Sequence, residues 1–377
     1  MNRAIGFILT MVASGYAFAG TIIFLDNSVS NDTYIPSNKE RQIKSVFDMG
    51  LADIKAKFPK CGLDGKVMVG RSDPLNILKQ KSEIAKSHKS NQTILVGMIH
   101  SSEALLAAKA FADTEFVGLS SGATADNLGE VNSRFFTLAN NMSRFAEVMS
   151  NFIETELKAK SVVAIFPGGS FYSRQFASIL EAKLSGKAKY RKIEVDVSNA
   201  KSKLSELKSD LQSADLLFTP GFIQEALPVI SALDALEIAA PILGTPNWGR
   251  SRSDLELFSK AIGIKNQRIF FPVSWIENES PASAGLESRY QKRFNEVLMG
   301  TALYTYDAVM VAGTYLCTRG EVNAAKFRDF ISKRDSPGTL NSIREYGAMS
   351  GSSLTSRISM TKLNPDRKTF TVQKVYK

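Results

Sequence analysis

Short apolar segments rich in β-branched residues alternate with amphipathic segments along most of the 377-residue chain. Apolar segments of this length predict buried strands, and the amphipathic ones carry apolar residues at helical spacing. Strand–helix alternation predicts parallel sheets that are covered by helices on both faces. The predicted strands form one series at 21–25, 66–69, 93–97 and 116–119, and a second at 161–166, 192–197, 215–219 and 241–244. Two such series in a chain of this length predict two α/β lobes.

The last quarter of the chain departs from this alternation. Segments 285–299, 305–317 and 323–333 have helical periodicity and follow one another directly. Residues 356–376 then predict a β-hairpin, with its turn at Asn364, Pro365 and Asp366. We therefore expect helices and a closing hairpin to complete the two lobes.

Residues 1–19 have the three parts of a secretory signal peptide. Arg3 precedes the apolar run Ala4 to Val12, and Ala17 to Ala19 form a small-x-small cleavage site. A buried strand or a membrane anchor is the alternative, but the run is shorter than the roughly 18 apolar residues that span a membrane. The residue directly after the cleavage site is not a cysteine, so a lipoprotein is not expected. The sequence predicts a periplasmic protein that begins near Gly20.

Charge and composition exclude several classes of function. The chain carries 47 Lys+Arg against 37 Asp+Glu, which in a cytosolic protein would suggest nucleic acid as a partner. These cations are spread along the chain without interleaved aromatic residues, so we expect no nucleic-acid binding. With only 2 His and 2 Cys, no metal centre and no cofactor is expected. Cys61 and Cys317 are the one possible disulfide pair, and the spacing alone leaves the bridge open.

Signatures of catalysis are missing from the sequence. The pattern Gly-x-Ser-x-Gly does not occur, and the Ser-x-x-Lys matches at 198–201 and 205–208 lack their companion motifs. The segment Gly168 to Ser170 lacks the lysine of a phosphate-binding loop. The sequence therefore predicts a protein that is not an enzyme.

Several short segments occur in an ordered series with characteristic spacing. They are 96–102, 118–124, 134–137, 162–166, 216–222, 242–248 and 306–309. Together with the closing hairpin, this series resembles the type I periplasmic binding proteins, in the branch that binds leucine, isoleucine and valine. The resemblance covers essentially the whole mature chain. It implies two Rossmann-like lobes with parallel sheets, joined by three hinge crossovers, and a ligand in the cleft between them.

The resemblance also implies lobe boundaries. Lobe one is expected to comprise residues 20–139 and 274–345, and lobe two residues 140–273 and 346–377. Cys61 and Cys317 then share lobe one, which favours the disulfide.

In lobe one, two predicted strands end in small hydroxyl residues. Ser101 and Ser102 follow the strand at 93–97 and begin a helix, where a carboxylate ligand fits the free N–H groups and the positive dipole end. The alternative is that either serine only caps the helix. The next strand ends in Gly122, Ala123 and Thr124, where the resemblance places a ligand-binding carbonyl at Gly122 and the hydroxyl and N–H of Thr124. A polar turn is the alternative there.

In lobe two, Tyr172 and Phe222 match aromatic positions of the family's cleft, and Trp248 is expected to cover a face of the ligand. Ordinary packing at the lobe surface is the alternative for Tyr172 and Phe222, and a partly exposed loop anchor is the alternative for Trp248. The family's acidic partner for an ammonium group is missing: Pro246 or Asn247 stands there. Either another acid replaces it or the ligand lacks an amine. Arg250 and Arg252 follow, and suit a further anionic group or are solvated loop cations.

The sequence thus predicts a monomeric periplasmic protein that captures a small metabolite, an amino acid or a related carboxylate or amide. The expected partner is the membrane permease of an ABC transporter. The alternative is a protein of the same fold that regulates an envelope protein through its surface.

Overall fold

The computed structural model describes residues 19–29, 38–249, 257–258, 268–276, 280–295, 298, 300–332, 346–365 and 369–376. The predicted signal peptide, Arg250, Arg252 and Asp366 therefore lie outside the described residues, apart from Ala19 at the cleavage site. Within the described ranges no helix is both long and apolar enough to cross a membrane.

The first sheet has seven strands in the described part of the chain. Its order is β11-β12-β5-β4-β3-β1-β2, and all neighbours are parallel except β11 and β12. The strands are β1 Ala19–Val29, β2 Gly62–Arg71, β3 Thr93–Gly97, β4 Val117–Ser120, β5 Phe135–Thr137, β11 Tyr346–Ser350 and β12 Ser353–Ser356.

The second sheet also has seven described strands, in the order β14-β13-β10-β9-β8-β6-β7. Its strands β6 to β10 pair in parallel, whereas the hairpin β13–β14 pairs antiparallel with β10. The strands are β6 Ser161–Pro167, β7 Lys189–Val195, β8 Leu216–Phe218, β9 Ile242–Leu243, β10 Ile269–Val273, β13 Ile358–Leu363 and β14 Phe370–Tyr376.

Helices connect the parallel strands and cover both faces of each sheet. They are α1 Asn38–Lys57, α2 Pro74–Ser87, α3 Ser101–Ala110, α4 Leu128–Val131, α5 Met142–Phe152, α6 Phe171–Leu184, α7 Ala200–Glu206, α8 Lys208–Gln212, α9 Ile223–Ala235, α10 Pro281–Phe294, α11 Gly300–Arg319 and α12 Ala324–Ser332. The predicted α/β fold with two Rossmann-like lobes is confirmed, since each of the two sheets is mostly parallel and flanked by helices.

Burial of both sheet faces follows from the continuous apolar strands. In β1, Ile22 and Phe24 pack into one apolar cluster, while Ile23 and Leu25 pack into another on the opposite face. In β6, Val163 and Ile165 pack into one apolar cluster, while the residues that alternate with them pack into another on the opposite face. Successive side chains of a strand point to opposite faces, so each sheet has two apolar layers.

The four C-terminal strands are shared between the two sheets and do not follow the expected lobe boundary. The sequence analysis assigns residues 346–377 to lobe two, but β11 and β12 belong to the first sheet. Ser353 of β12 pairs with Thr137 of β5, and only β13 and β14 extend the second sheet. The described chain passes between the sheets three times, after β5, after β10 and after β12. The third crossover thus lies near Arg357 rather than before Tyr346. The expected boundary was wrong because the sequence analysis did not predict the β11–β12 pair.

Cys61 and Cys317 form a disulfide with their Cα atoms 5.4 Å apart. It joins the start of β2 to the C-terminal part of α11, and both cysteines pack against the core of lobe one. The bridge that the sequence left open is therefore present.

Candidate functional site

The carboxyl end of β3 makes an abrupt turn into α3. Gly97 has φ 101° and Met98 has φ 50°, both in the left-handed region. A Cβ on Gly97 would lie 2.5 Å from the Leu25 carbonyl oxygen, so a larger residue is excluded there. Met98 is fully buried, and its N–H donates to the same carbonyl at 3.2 Å. Strained backbone held by its surroundings is typical of functional sites.

The loop after β4 is tied to this turn by buried serines. Ser120 Oγ donates to the Met98 carbonyl at 2.7 Å and accepts from the N–H of Ala123 at 2.9 Å. Ser121 N–H donates to the Gly97 carbonyl at 2.9 Å. Both serines are fully buried. These hydrogen bonds fix the two loops side by side at the carboxyl edge of the first sheet.

This arrangement brings Ser101 and Thr124 into contact. The N–H of Thr124 donates to Ser101 Oγ at 3.1 Å, and the two hydroxyl oxygens are 3.5 Å apart. The N-cap of α3 is His100, so neither Ser101 nor Ser102 caps the helix. Ser101 is partly exposed and Thr124 is 5% exposed. The structure thus places two hydroxyls and a helix N-terminus together.

The other predicted residues of lobe one have different surroundings. Gly122 lies in the same loop, and its N–H donates to Ser120 Oγ at 3.3 Å. Ala123 is fully buried, and its carbonyl accepts from Thr137 Oγ1 at 2.8 Å. Ser102 is exposed on α3. Of this set, Ser101, Gly122 and Thr124 come together. Ser102 points to solvent, and Ala123 is buried and bonded within lobe one.

Aromatic rings from lobe two face the start of α3. The rings of Tyr172 and Phe222 are 5.6 Å apart, and Phe222 lies 6.4 Å from the ring of His100 in lobe one. Phe222 is held at the start of α9, where its N–H donates to Glu225 Oε2 at 3.1 Å. The predicted aromatic residues Tyr172 and Phe222 therefore sit together, at a point where the two lobes approach each other.

Trp248 does not cover a ligand face in this structure. It is fully buried, packs against Phe258 at 5.5 Å, and donates its indole N–H to the Gly221 carbonyl at 3.1 Å. The expected ligand clamp is instead part of the core of lobe two. The tight 3-10 turn Pro246–Gly249 folds the ring inward, which the spacing of glycine and proline did not reveal.

Asn247 belongs to the same turn and is 5% exposed. Its Oδ1 is buried, and no described residue donates a hydrogen bond to it. The two residues at which the sequence analysis considered an acidic partner, Pro246 and Asn247, are therefore a buried proline and a neutral, buried amide. A buried acceptor without a donor is uncommon.

A small cavity lies between the lobes beside Thr124. The centre of a water molecule has about 20 Å³ of space there, which is room for about one water. Its lining comes from both lobes and from two of the crossovers. The lining residues are Gly122, Thr124, Ala139, Phe145, Pro246, Gly249, Val273, Ser274, Trp275 and Tyr304.

Sequence reasoning missed the aromatic residues of this cavity. Phe145, Trp275 and Tyr304 line it, although they lie on three separate segments. Trp275 is 8% exposed, and its Nε1 is buried without an acceptor among the described residues. One signal could have found it, because Trp275 is one of only 2 Trp and lies two residues after the end of an apolar strand.

Asn140 links the crossovers behind the cavity. Its amide nitrogen donates to Ser274 Oγ at 3.1 Å and to Ser356 Oγ at 2.9 Å. Its carbonyl oxygen accepts from the N–H of Ser356 at 2.9 Å. Asn140 is fully buried. One side chain therefore links the three places where the chain passes between the sheets.

Asp126 is the acid nearest to Thr124 in the sequence. Its Oδ1 accepts from the N–H of Ser143 at 3.1 Å, while its Oδ2 is buried and receives no hydrogen bond from the described residues. Burial raises the pKa of this carboxyl above its ordinary value, because removal from water disfavours the charged form. Asp126 is not among the residues that line the cavity.

The described residues hold no group of three His, Cys, Asp or Glu side chains that could bind a metal ion. The polar side chains that line the cavity are those of Thr124, Ser274, Trp275 and Tyr304, which carry hydroxyls and an indole N–H. Such groups bind anions and neutral polar ligands through hydrogen bonds.

No protein-family model matches the chain, and no curated protein matches it either. Solved structures do match its fold. The leucine-binding protein LivK of Thermotoga maritima superposes with a TM-score of 0.74 at 12% identity, covering 95% of this chain and 98% of that one. LivJ of Streptococcus pneumoniae, in complex with isoleucine, gives 0.73 at 16% identity, with the same coverage. The chain has the fold of a type I periplasmic binding protein.

The periplasmic binding protein fold is also shared with a solute-binding protein of an ABC transporter from R. palustris. That structure, in complex with benzoate, gives a TM-score of 0.69 at 13% identity, covering 95% of this chain and 96% of that one. The three structures are thus of proteins named for ligand binding or for ABC transport, and their likeness to this chain is one of fold.

Proposed function

We propose that the chain is the substrate-binding component of an ABC transporter and captures a small carboxylate between its lobes. The contact between Ser101 and Thr124 carries this proposal. Both hydroxyls lie at the carboxyl edge of a parallel sheet, where ligands of open α/β sheets bind. Ser101 is also the first residue of α3, at the positive end of the helix dipole.

A carboxylate would complete this arrangement. Ser101 Oγ already accepts the N–H of Thr124, so its own hydrogen is available to an anionic oxygen. The Thr124 hydroxyl is a second donor, and the positive end of the α3 dipole favours the negative charge. The ligands named for two structures of this fold, isoleucine and benzoate, both carry a carboxylate.

Capture follows from contacts with both lobes. A ligand that touches Thr124 on one side and the turn at Pro246 on the other favours the closed state by its differential affinity. The cavity has room for about one water, so ligand entry requires the lobes to separate first. The crossovers around Asn140 are the place where such a movement must be absorbed.

The remaining parts of the proposal concern location and partners. Residues 1–19 serve as a signal peptide that delivers a monomeric protein to the periplasm, where it presents its ligand to a membrane permease. The chain binds and does not catalyse.

A thermal-shift screen of the chain from Gly20 onward tests the proposal. Carboxylates, amino acids and amides are each added at saturating concentration. A ligand at about 100 times its Kd adds roughly 2.7 kcal/mol to the free energy of unfolding. The stabilisation should be smaller in Ser101→Ala and Thr124→Val, because the weaker Kd leaves a smaller ratio of ligand concentration to Kd. If none of these compounds stabilises the protein, carboxylate capture is wrong.

The small cavity favours a second candidate function, a regulator that acts on an envelope protein through its surface. The cavity beside Thr124 has room for about one water as it stands, which is too little for a metabolite. Small-angle scattering distinguishes the two functions. A transport protein should become more compact with its ligand, whereas a regulator should keep the same radius of gyration throughout the screen.

A further inference from the structure

Resting on the proposed function, we infer that the ligand is an aromatic carboxylate without a positively charged amine. The inference comes from the chemistry of the cavity next to Thr124. Its lining includes the hydroxyl groups of Thr124 and Ser274 and three aromatic side chains, and it carries no charged side chain among the described residues.

The aromatic part consists of Phe145, Trp275 and Tyr304. Trp275 is 8% exposed and Tyr304 is also 8% exposed, so these rings are held by the surrounding core. Aromatic side chains contribute large, rigid apolar surfaces and favour edge or offset contacts with another ring. A planar ring, entering when the lobes are apart, would meet aromatic surface from three segments of the chain.

The charge of the lining argues against an amine. None of the described residues that line the cavity is Asp, Glu, Lys, Arg or His. An ammonium group that is removed from water needs a carboxylate partner, and Pro246 with the neutral amide of Asn247 does not supply one. Asp126 is outside the lining, and its Oδ1 is already bonded to the N–H of Ser143.

The indole of Trp275 provides a second, independent observation. Its Nε1 is buried, and the described residues offer it no acceptor. Buried donors in folded proteins are nearly always paired, because an unpaired one loses its hydrogen bond to water. Since Trp275 lines the cavity, an acceptor on the ligand would complete the hydrogen bonding of this N–H.

Matched pairs of ligands test the inference on the unmodified mature chain. Isothermal titration calorimetry compares 3-phenylpropionate with phenylalanine and 4-methylpentanoate with leucine, which differ in the amino group alone. It also compares benzoate with cyclohexanecarboxylate, which differ in aromaticity. We expect the compounds without the amine to bind at least tenfold tighter, and benzoate to bind tighter than its saturated analogue.

The outcomes separate this inference from the proposed function. If phenylalanine or leucine binds as tightly as its partner, the absence of an amine is wrong while carboxylate capture stands. Equal affinity for benzoate and cyclohexanecarboxylate overturns the aromatic part. If no carboxylate of either kind binds, the proposed function fails and the inference fails with it.

Trp275→Phe tests the role of the indole directly. Phenylalanine keeps an aromatic ring but has no N–H, so the affinity for the best aromatic carboxylate should fall about tenfold. Tyr190→Phe is the matched control, because it removes a hydrogen bond to the Ala177 carbonyl within lobe two. The control should bind normally. Unchanged affinity in Trp275→Phe would exclude the indole N–H from the ligand site.

Discussion

Asn140 and Ser356 exchange two hydrogen bonds across 216 positions of the chain. The Asn140 amide donates to Ser356 Oγ at 2.9 Å and accepts from the N–H of Ser356 at 2.9 Å. These residues belong to the first and third crossovers, and the same amide reaches Ser274 in the second. The crossovers are therefore joined by a buried side chain as well as by their own backbone.

Asn140→Ala should lower the free energy of unfolding by about 1–3 kcal/mol, because it leaves the buried N–H of Ser356 without its acceptor. Chemical denaturation of the ligand-free protein measures the change. Asn364→Ala serves as the control, since its amide bonds to Thr369 at an exposed turn and its loss should cost less than about 0.5 kcal/mol. Equal effects in the two variants would contradict a special role for Asn140.

Thr124→Val should weaken binding of a carboxylate ligand by about 1–3 kcal/mol, or roughly 5- to 150-fold, because valine keeps the shape but removes the hydroxyl. Calorimetric titration gives the affinity. Thr114→Val is a matched control near the opposite end of α3, where the hydroxyl donates to the Phe111 carbonyl at 2.8 Å. If both variants bind like the unmodified chain, Thr124 does not contact the ligand through its hydroxyl.

Removal of the disulfide by Cys61→Ser with Cys317→Ser should destabilise the protein by about 2–5 kcal/mol, since the bridge closes a loop between residues 256 positions apart. Urea denaturation measures the loss. Thiol titration under denaturing conditions should detect no free thiol before reduction and two afterwards. Two free thiols in the unreduced protein would show that the bridge does not form.

Asp126→Asn should stabilise the protein at neutral pH, because asparagine can still accept the N–H of Ser143 but replaces a buried charge by a neutral amide. Burial raises the pKa of Asp126 in the folded state, so this carboxyl contributes stability below its unfolded pKa and loses it as pH rises through the raised value. Denaturation at several pH values should therefore show an advantage of the variant that shrinks as pH falls through the raised pKa and is lost below the unfolded pKa of about 3.9. An advantage that is independent of pH would assign the effect to something other than the charge.

The alternation of strands and helices was predictable from the sequence because each segment carries its own periodicity. The hairpin β13–β14 was predictable as well, since its two strands alternate on either side of a turn. The strands β11 and β12 were not predicted: Tyr346–Ser350 has little apolar alternation, and β12 joins the sheet by pairing with β5. Pairing across such a distance is a tertiary property that no local pattern encodes.

Within the candidate site, sequence reasoning named the hydroxyl residues that the structure brings together but not the aromatic residues that line the cavity. Ser101 and Thr124 follow strands, and the carboxyl ends of parallel strands share one edge of the sheet. Trp275 and Tyr304 lie on segments that come together only because the crossovers bring them there. Trp248 shows the reverse error, because a tryptophan in a glycine- and proline-rich turn was expected at the cleft and is fully buried in the core of lobe two.

The division of the last strands has a consequence for synthesis of the protein. β11 and β12 complete the first sheet, and β13 and β14 complete the second. Neither sheet can therefore be complete before residues 346–376 have been made. A nascent chain that ends before Tyr346 would leave β5 and β10 as open edges, each able to pair with another chain. The disulfide also cannot form until Cys317 has been made, which is 256 residues after Cys61. Each lobe thus reaches its native state only after segments far apart in the chain have been made, and neither lobe corresponds to one contiguous stretch of the sequence.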